Sequence, residues 1–156
     1  MMNKGIRLES KTWQQEDKMF VADRLLDVGI QSAEEIMELR VFDLLNLNRI
    51  DAGAAEEAIM VLYRLYNPNT SADVGMEDGT IDQNYSFKAW RRNHRDLSKV
   101  TVGELVMSEN INGRAIARLF NRILKAFYKS NEYNSREYRF LCYEDLLQQK
   151  EKEAAQ

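Results

Sequence analysis

Apolar residues recur three or four positions apart through the first half of this chain, which is the spacing of one helix face. A capping pattern from Thr12 to Gln15 precedes the first such run, and Gly29 is placed to end that helix. A second capping pattern, Ser32 to Glu35, opens two short helices, and a hairpin at 49–51 leads into a longer helix. The expected buried faces comprise Phe20, Val21, Leu25, Val28, Ile36, Leu39, Phe42, Leu44, Leu45, Leu47, Ala55, Ala58, Ile59, Leu62 and Tyr66.

The second half partly repeats this order. Thr101 to Glu104 forms a capping pattern, a tight turn follows at 110–113, and a long amphipathic helix is expected after it. Its expected buried face comprises Ile116, Leu119, Phe120, Ile123 and Phe127. A last helix over 135–149 is expected to fold back on the second half, and residues 150–156 are expected to fray.

Turn-forming residues dominate 67–84, which holds the chain's one proline and lacks apolar periodicity. We interpret 67–84 as a linker between a module at 1–66 and a module at 85–149. The expected fold class is all-α, with tandem small helical modules of the helix-hairpin-helix (SAM-like) type.

Composition limits the class of protein. The chain has 156 residues, of which 44% are hydrophobic and 30% charged, an ordinary balance for a globular protein. It has no apolar run of membrane-spanning length, and its one cysteine, Cys142, suits a reducing compartment. We therefore expect a cytoplasmic protein that does not associate with membranes.

Charge is distributed unevenly. Residues 1–87 carry 8 Lys or Arg against 16 Asp or Glu, whereas residues 88–129 carry 10 against 3. An acidic first module is thus followed by a basic second module, a difference that bears on partners more than on fold.

The apolar frame of residues 20–65 resembles the C-terminal domain of the bacterial RNA polymerase alpha subunit. The positions that agree are Gly29-Ile30, Glu35-Ile36, Leu44-Leu45 and Ile50. The resemblance implies a helix-hairpin-helix fold for the first module. That family binds DNA through basic and polar groups, and the positions here that match them are Phe20, Asp23, Asp51, Ala52, Gly53 and Ala54. Because basic groups are missing at these positions, and Asp51 is expected to cap the following helix, the first module is not expected to bind DNA.

A set of cations lies on the long helix of the second module, at positions spaced by four, four, three and four residues. This set, which we call the basic ridge, comprises Arg114, Arg118, Arg122, Lys125 and Lys129. At 100° per residue the five fall within an arc of about 80°, opposite the apolar face. An amphipathic helix often has a charged outer face, which is the ordinary explanation. Here, however, residues 111–130 include no Asp or Glu, so no acidic neighbour on the same helix offsets the repulsion between the cations of the ridge.

Neighbouring residues extend this candidate site. Asn112 and Gly113 precede the ridge at a helix start, where backbone N–H groups can receive a phosphate. Upstream, Arg91, Arg92 and Arg95 add positive charge, and Trp90 is predicted to be a core residue, with base stacking as the alternative.

Residue types that carry catalysis are scarce. His94, expected to be exposed, is the one histidine and Cys142 the one cysteine, so a zinc site, a Cys-His dyad or a Ser-His-Asp triad is not expected. We expect no enzyme activity, no cofactor, no metal and no small-molecule substrate. The sequence favours a protein that binds nucleic acid, duplex DNA being the expected form, through the second module without sequence preference. The alternative is an adapter whose acidic first half docks on a basic partner or on the second half.

Overall fold

The structure is a computed structural model that describes residues 5–67, 90, 92, 94–107, 113–130 and 142–155. Within these ranges the chain is helical apart from turns and two isolated bridges, so the prediction of an all-α fold is confirmed. The helices are α1 (Lys11–Glu16), α2 (Val21–Asp27), α3 (Ala33–Met37), α4 (Val41–Leu45), α5 (Ala52–Tyr66), a 3₁₀ turn (Leu97–Lys99), α6 (Val102–Val106), α7 (Gly113–Lys129) and α8 (Tyr143–Ala155). The helix-hairpin-helix type of the modules stays a prediction.

The first helix begins earlier and ends sooner than the sequence predicts. Ser10, rather than Thr12, caps α1, because its hydroxyl accepts the N–H of Trp13 at 3.3 Å. The chain then breaks at Asp17, whose buried carboxylate accepts the indole N–H of Trp13 at 2.9 Å and the N–H of Val21 at 3.0 Å. The sequence predicts a single helix here, whereas the structure has two, α1 and α2. The carboxylate of Asp17 accepts hydrogen bonds from a residue of each.

This break turns Phe20 outward, so the prediction that Phe20 is buried is wrong. Its side chain is 73% exposed, and its backbone has a left-handed φ of 56°. Left-handed backbone is unusual for an aromatic residue, since the side chain then crowds the carbonyl oxygen that follows. The neighbouring Met19 is also exposed.

The other helix starts form as their local patterns predict. The hydroxyl of Ser32 accepts the N–H of Glu35 at 3.3 Å, and the Glu35 carboxylate accepts the N–H of Ser32 in return. The same reciprocal pair joins Thr101 and Glu104. Asp51 caps α5 through an N–H three residues on, at 2.8 Å. All three predicted caps are confirmed.

The two halves of the chain are joined through backbone hydrogen bonds. The N–H of Val41 donates to the carbonyl of Val100 at 2.9 Å, and the N–H of Val102 donates to the carbonyl of Leu39 at 2.8 Å. Here α6 packs on α3, while α7 packs on α4 and α5. Buried residues on both sides of the predicted linker therefore share one core. The linker itself, except for Asn67, lies outside the described residues, as does part of the predicted module at 85–149.

The C-terminal helix continues further than predicted and contacts the first half of the chain. Within the described ranges it starts at Tyr143 and continues to Ala155, so residues 150–155 are helical where fraying is expected. It also contacts the first half: the N–H of Tyr143 donates to the carbonyl of Val28 at 2.6 Å, and Lys150 reaches the buried Asp43 at 3.0 Å. The ion pair between Lys150 and the buried carboxylate of Asp43 anchors the end of the helix, which explains why residues 150–155 are helical.

Candidate nucleic-acid interface

The long helix α7 is fixed to the core along one face. Its apolar stripe is buried as predicted, and it comprises Ile116, Leu119, Phe120, Ile123 and Phe127. The ring of Phe127 meets the ring of Phe42 edge to face, with centroids 5.2 Å apart. Because this stripe packs against α4, α5 and the 3₁₀ turn, the opposite face of α7 points to solvent in a fixed orientation.

That solvent face carries the basic ridge, and all five of its side chains are exposed. Arg114, Arg118, Lys125 and Lys129 take part in no ion pair or hydrogen bond with any side chain in the described part of the protein. The ridge extends along about 22 Å of helix, since its ends are 15 residues apart at 1.5 Å per residue. The structure thus brings these five predicted residues onto one open surface.

Three glutamates of the first half have partners within that half. Glu34 accepts the N–H of Ile6 at 3.0 Å and the hydroxyl of Tyr66. Glu35 closes the capping box of α3, and Glu57 pairs with Arg64 at 3.8 Å. These contacts join the three carboxylates to groups of the first half.

The contact with Glu34 also affects the titration of Tyr66. The pKa of Tyr66 is raised far above its ordinary value, first because burial of the Tyr66 side chain disfavours the phenolate, and then because the Glu34 carboxylate accepts a hydrogen bond from its hydroxyl and repels negative charge. Tyr66 therefore stays a donor to Glu34 at all physiological pH values. The pair holds the N-terminal segment on the end of α5.

The arginine-rich segment before the 3₁₀ turn is partly described. Arg92 and Arg95 are exposed, whereas Arg91 lies outside the described residues. Trp90 is 7% exposed, which confirms its prediction as a core residue and removes it as a stacking platform. His94 is not simply exposed as predicted, because its ring stacks on that indole at 4.0 Å and its Nδ1 lies 2.8 Å from the Trp90 carbonyl oxygen.

Of the turn predicted at 110–113, only Gly113 lies within the described residues. Gly113 begins the helix and is buried, while Asn112 lies outside the described residues. The predicted phosphate contact at this helix start stays a prediction. Arg114, the next residue, is exposed on the ridge.

The matching helix start in the first half is closed to anions. The carboxylate of Asp51 accepts a hydrogen bond from the N–H of Ala54 and lies 3.5 Å from the guanidinium of Arg24. A phosphate approaching α5 would meet this carboxylate before any free N–H group. The carboxylate of Asp51 therefore shields this helix start from anions.

One exposed aromatic residue of α7 has no counterpart among the sequence predictions. Tyr128 is 44% exposed and lies beside the ridge, three residues after Lys125. The spacing of three residues between a cation and an aromatic on one helix is the signal that could have indicated it. Periodicity separates Tyr128 from the buried aromatics Phe120 and Phe127 of the same helix, but it does not indicate a role for an exposed ring.

The described ranges lack a metal-binding cluster and a membrane-spanning helix. These ranges hold no group of three or more His, Cys, Asp or Glu side chains placed to bind a metal ion. Among their helices, none is both long enough and apolar enough to cross a bilayer.

Comparison of the chain with protein-family models, with curated proteins and with solved structures finds no significant match. The resemblance of residues 20–65 to the polymerase alpha C-terminal domain therefore stays a prediction from the residues alone.

Proposed function

We propose that this chain is a non-enzymatic binding protein that holds the phosphates of nucleic acid on the basic ridge of α7, without reading base sequence. The observation that carries the proposal is the exposure of the ridge on a helix anchored by its opposite face. Like charges four residues apart on a helix repel one another. Since the described residues place no carboxylate against four of these cations, a bound polyanion is what would relieve that repulsion.

Two further features support a contact with backbone phosphates. The ridge is a row of cations rather than a pocket, which suits a linear array of charges. Arg92 and Arg95 are exposed on the segment that leads into the 3₁₀ turn, and that turn packs on α7. Their charge adds to the field around the ridge.

The salt dependence of binding tests this proposal. Fluorescence anisotropy of a labelled duplex DNA should show binding by the full chain, with log affinity falling against log salt at a slope of about −4 to −5 if five phosphates are neutralised. No binding at low salt, or an affinity that does not change with salt, would overturn the proposal. An equal affinity for unrelated duplex sequences is also expected, since phosphate contacts carry no sequence information.

A second candidate function is an adapter whose acidic first half docks on a basic protein. The observation that favours it is the exposed pair Met19 and Phe20, at 53% and 73%, in a half whose acidic residues outnumber its basic ones. Exposed apolar residues with a charged surround are common at protein interfaces. Binding to a basic peptide that is lost on changing Phe20→Ala, with no binding to nucleic acid, would favour this candidate over the first.

A further inference from the structure

The turn between α1 and α2 presents two adjacent apolar side chains to solvent. Phe20 is 73% exposed and Met19 53%, the highest values among the large apolar side chains of the described residues. Single exposed apolar residues are common on protein surfaces, whereas neighbouring ones at this exposure indicate a contact surface. A partner that covers the two side chains removes their apolar area from water.

Hydrogen bonds hold this turn on both sides. The buried carboxylate of Asp17 accepts the N–H of Val21 at 3.0 Å, and the N–H of Lys18 donates to Glu57 of α5 at 3.2 Å. Phe20 is thus fixed in left-handed backbone, with φ 56°, which costs an aromatic residue free energy. Backbone strain of this kind is concentrated at binding and catalytic sites, and a ring fixed in advance loses little conformational entropy when it is covered.

Exposed charges of opposite sign flank Met19 and Phe20 along the chain. Lys18 precedes them, and Asp23 follows in the first turn of α2, where its N–H donates to the carbonyl of Phe20 at 3.2 Å. Neither charged side chain takes part in an ion pair or hydrogen bond with the described residues. A partner of uniform charge would attract one of them and repel the other. A second copy of the same turn, related by a two-fold axis, offers each of them the opposite charge.

We infer that two copies of this chain associate through this turn, with Met19 and Phe20 at the two-fold axis and Lys18 of each copy paired with Asp23 of the other. Contacts across such an axis are reciprocal, so both apolar pairs are covered and both charges are matched twice. The surface is small, and acidic residues outnumber basic ones in the first half of each copy, which opposes association. The dimer is therefore weak, with a Kd of about 10 µM to 1 mM.

This surface is distinct from the basic ridge. The helices α1 and α2 pack on α5, and α5 packs on the face of α7 opposite the ridge. Association of two copies therefore does not require nucleic acid, and the dimer carries two basic ridges.

Sedimentation equilibrium of the full chain tests the association, at concentrations that span the expected Kd. The native chain should show monomer and dimer with no larger species, since a two-fold contact is closed. Phe20→Asn, which suits left-handed backbone, should weaken the dimer by about 10- to 100-fold, because each substitution acts on both sides of the axis. The matched control is Met107→Asn, since Met107 is 51% exposed but lies in the second half, and it should leave the equilibrium unchanged.

Charge reversal tests the pairing of Lys18 with Asp23. Lys18→Glu alone and Asp23→Lys alone should each weaken the dimer by about 3- to 30-fold, because like charges then face each other across the axis. Mixing the two variants should restore association, because in the mixed dimer each new charge meets an opposite one. A pair formed within one chain could not be rescued by mixing.

Three results would overturn the inference: a native chain that stays monomeric up to about 1 mM, a dimer that Phe20→Asn leaves intact, or a mixture that associates no more tightly than its components. A monomer that binds a basic peptide through Phe20 would also overturn it and assign the turn to the adapter function. Nucleic-acid binding is measured separately, at concentrations below the Kd of the dimer. A chain that pairs but does not bind duplex DNA at low salt would contradict the proposed function and leave the dimer standing.

Discussion

The ammonium group of Lys150 lies 3.0 Å from the carboxylate of Asp43, although 107 residues separate them in sequence. Asp43 is 2% exposed and also receives the guanidinium of Arg40 at 2.7 Å. Arg40 in turn donates to the carbonyl of Ser98 at 3.0 Å. One buried carboxylate thus connects α4, the segment before α6, and the C-terminal helix.

Removal of the Asp43 charge should destabilise the fold. Asp43→Asn leaves two cations facing a neutral amide, and breaking such a buried network costs about 2 to 4 kcal/mol in the free energy of unfolding. Lys150→Met should cost less, about 1 kcal/mol, since Arg40 still pairs with the carboxylate. Urea denaturation measures both changes. The matched control is Lys152→Met, an exposed position on the same helix, which should change stability by less than about 0.5 kcal/mol. A similar loss in both lysine variants would contradict the role given to Lys150.

The stabilising effect of Asp43 should disappear in acid. Burial alone would raise the pKa of Asp43, but the hydrogen bonds and charges of Arg40 and Lys150 outweigh burial and hold the pKa below its ordinary value. A carboxylate with a lowered pKa in the folded state stabilises the fold above its unfolded pKa of about 3.9, and the contribution is lost as the pH falls further. The gap in the free energy of unfolding between the native chain and Asp43→Asn should therefore be wide at pH 7 and narrow below about pH 4. A gap that does not change with pH would argue against this cause.

The contact between α3 and α6 requires a glycine. A Cβ added at Gly103 would lie 3.0 Å from the carbonyl oxygen of Met37, whereas a Cβ added at Gly53 would meet its nearest neighbour at 3.7 Å. Alanine in a helix is favoured over glycine by about 1 kcal/mol when space allows. Gly53→Ala should therefore stabilise the protein by up to about 1 kcal/mol, and Gly103→Ala should destabilise it by about 1 to 2 kcal/mol despite the better helix propensity. Thermal or urea unfolding gives the sign of each change in the free energy of unfolding. Stabilisation by both variants would contradict the prediction, because it would show that α3 and α6 can move apart at no cost in stability.

Strain at Phe20 should be measurable as well. Asparagine accepts left-handed backbone more readily than phenylalanine, and the exposed ring contributes little burial to the fold. Phe20→Asn should raise the free energy of unfolding by about 0.5 to 1 kcal/mol. Met19→Asn is the control, because Met19 is also exposed but has no positive φ. It should leave stability unchanged or slightly reduced, and an equal gain at both positions would contradict strain as the cause.

Features that depend on neighbours three or four residues away were predictable from the sequence. The caps at Ser32, Asp51 and Thr101 form as expected, because a side chain and the N–H it accepts lie within one turn. The buried stripe and basic ridge of α7 follow from helical periodicity alone. The fold class and the exposure of the five ridge residues were therefore accessible without a structure.

Features that depend on contacts between residues far apart in sequence were not predictable from the sequence. The sequence predicts one helix that includes Asp17 and Phe20. In the structure the buried carboxylate of Asp17 interrupts that helix. The position of α8 depends on Asp43, and the sequence offers no local sign of that partner. The partners of Glu34 and Glu57, the N–H of Ile6 and the guanidinium of Arg64, are likewise visible only in three dimensions.

The central claim is that the basic ridge holds the phosphates of nucleic acid, and charge reversal against a charge-matched control tests it most directly. The triple variant Arg114→Glu, Arg118→Glu, Lys125→Glu changes exposed ridge positions without an ion pair in the described chain. The control reverses three exposed cations of the first half, Arg7, Lys11 and Lys18, and so alters net charge equally.

Anisotropy titrations over a range of salt concentrations should show native-like binding for the control, with a slope of about −4 to −5. The ridge variant should bind far more weakly, with its slope reduced to about −2 or less in magnitude. Equal affinities and equal slopes for the two variants would contradict the claim.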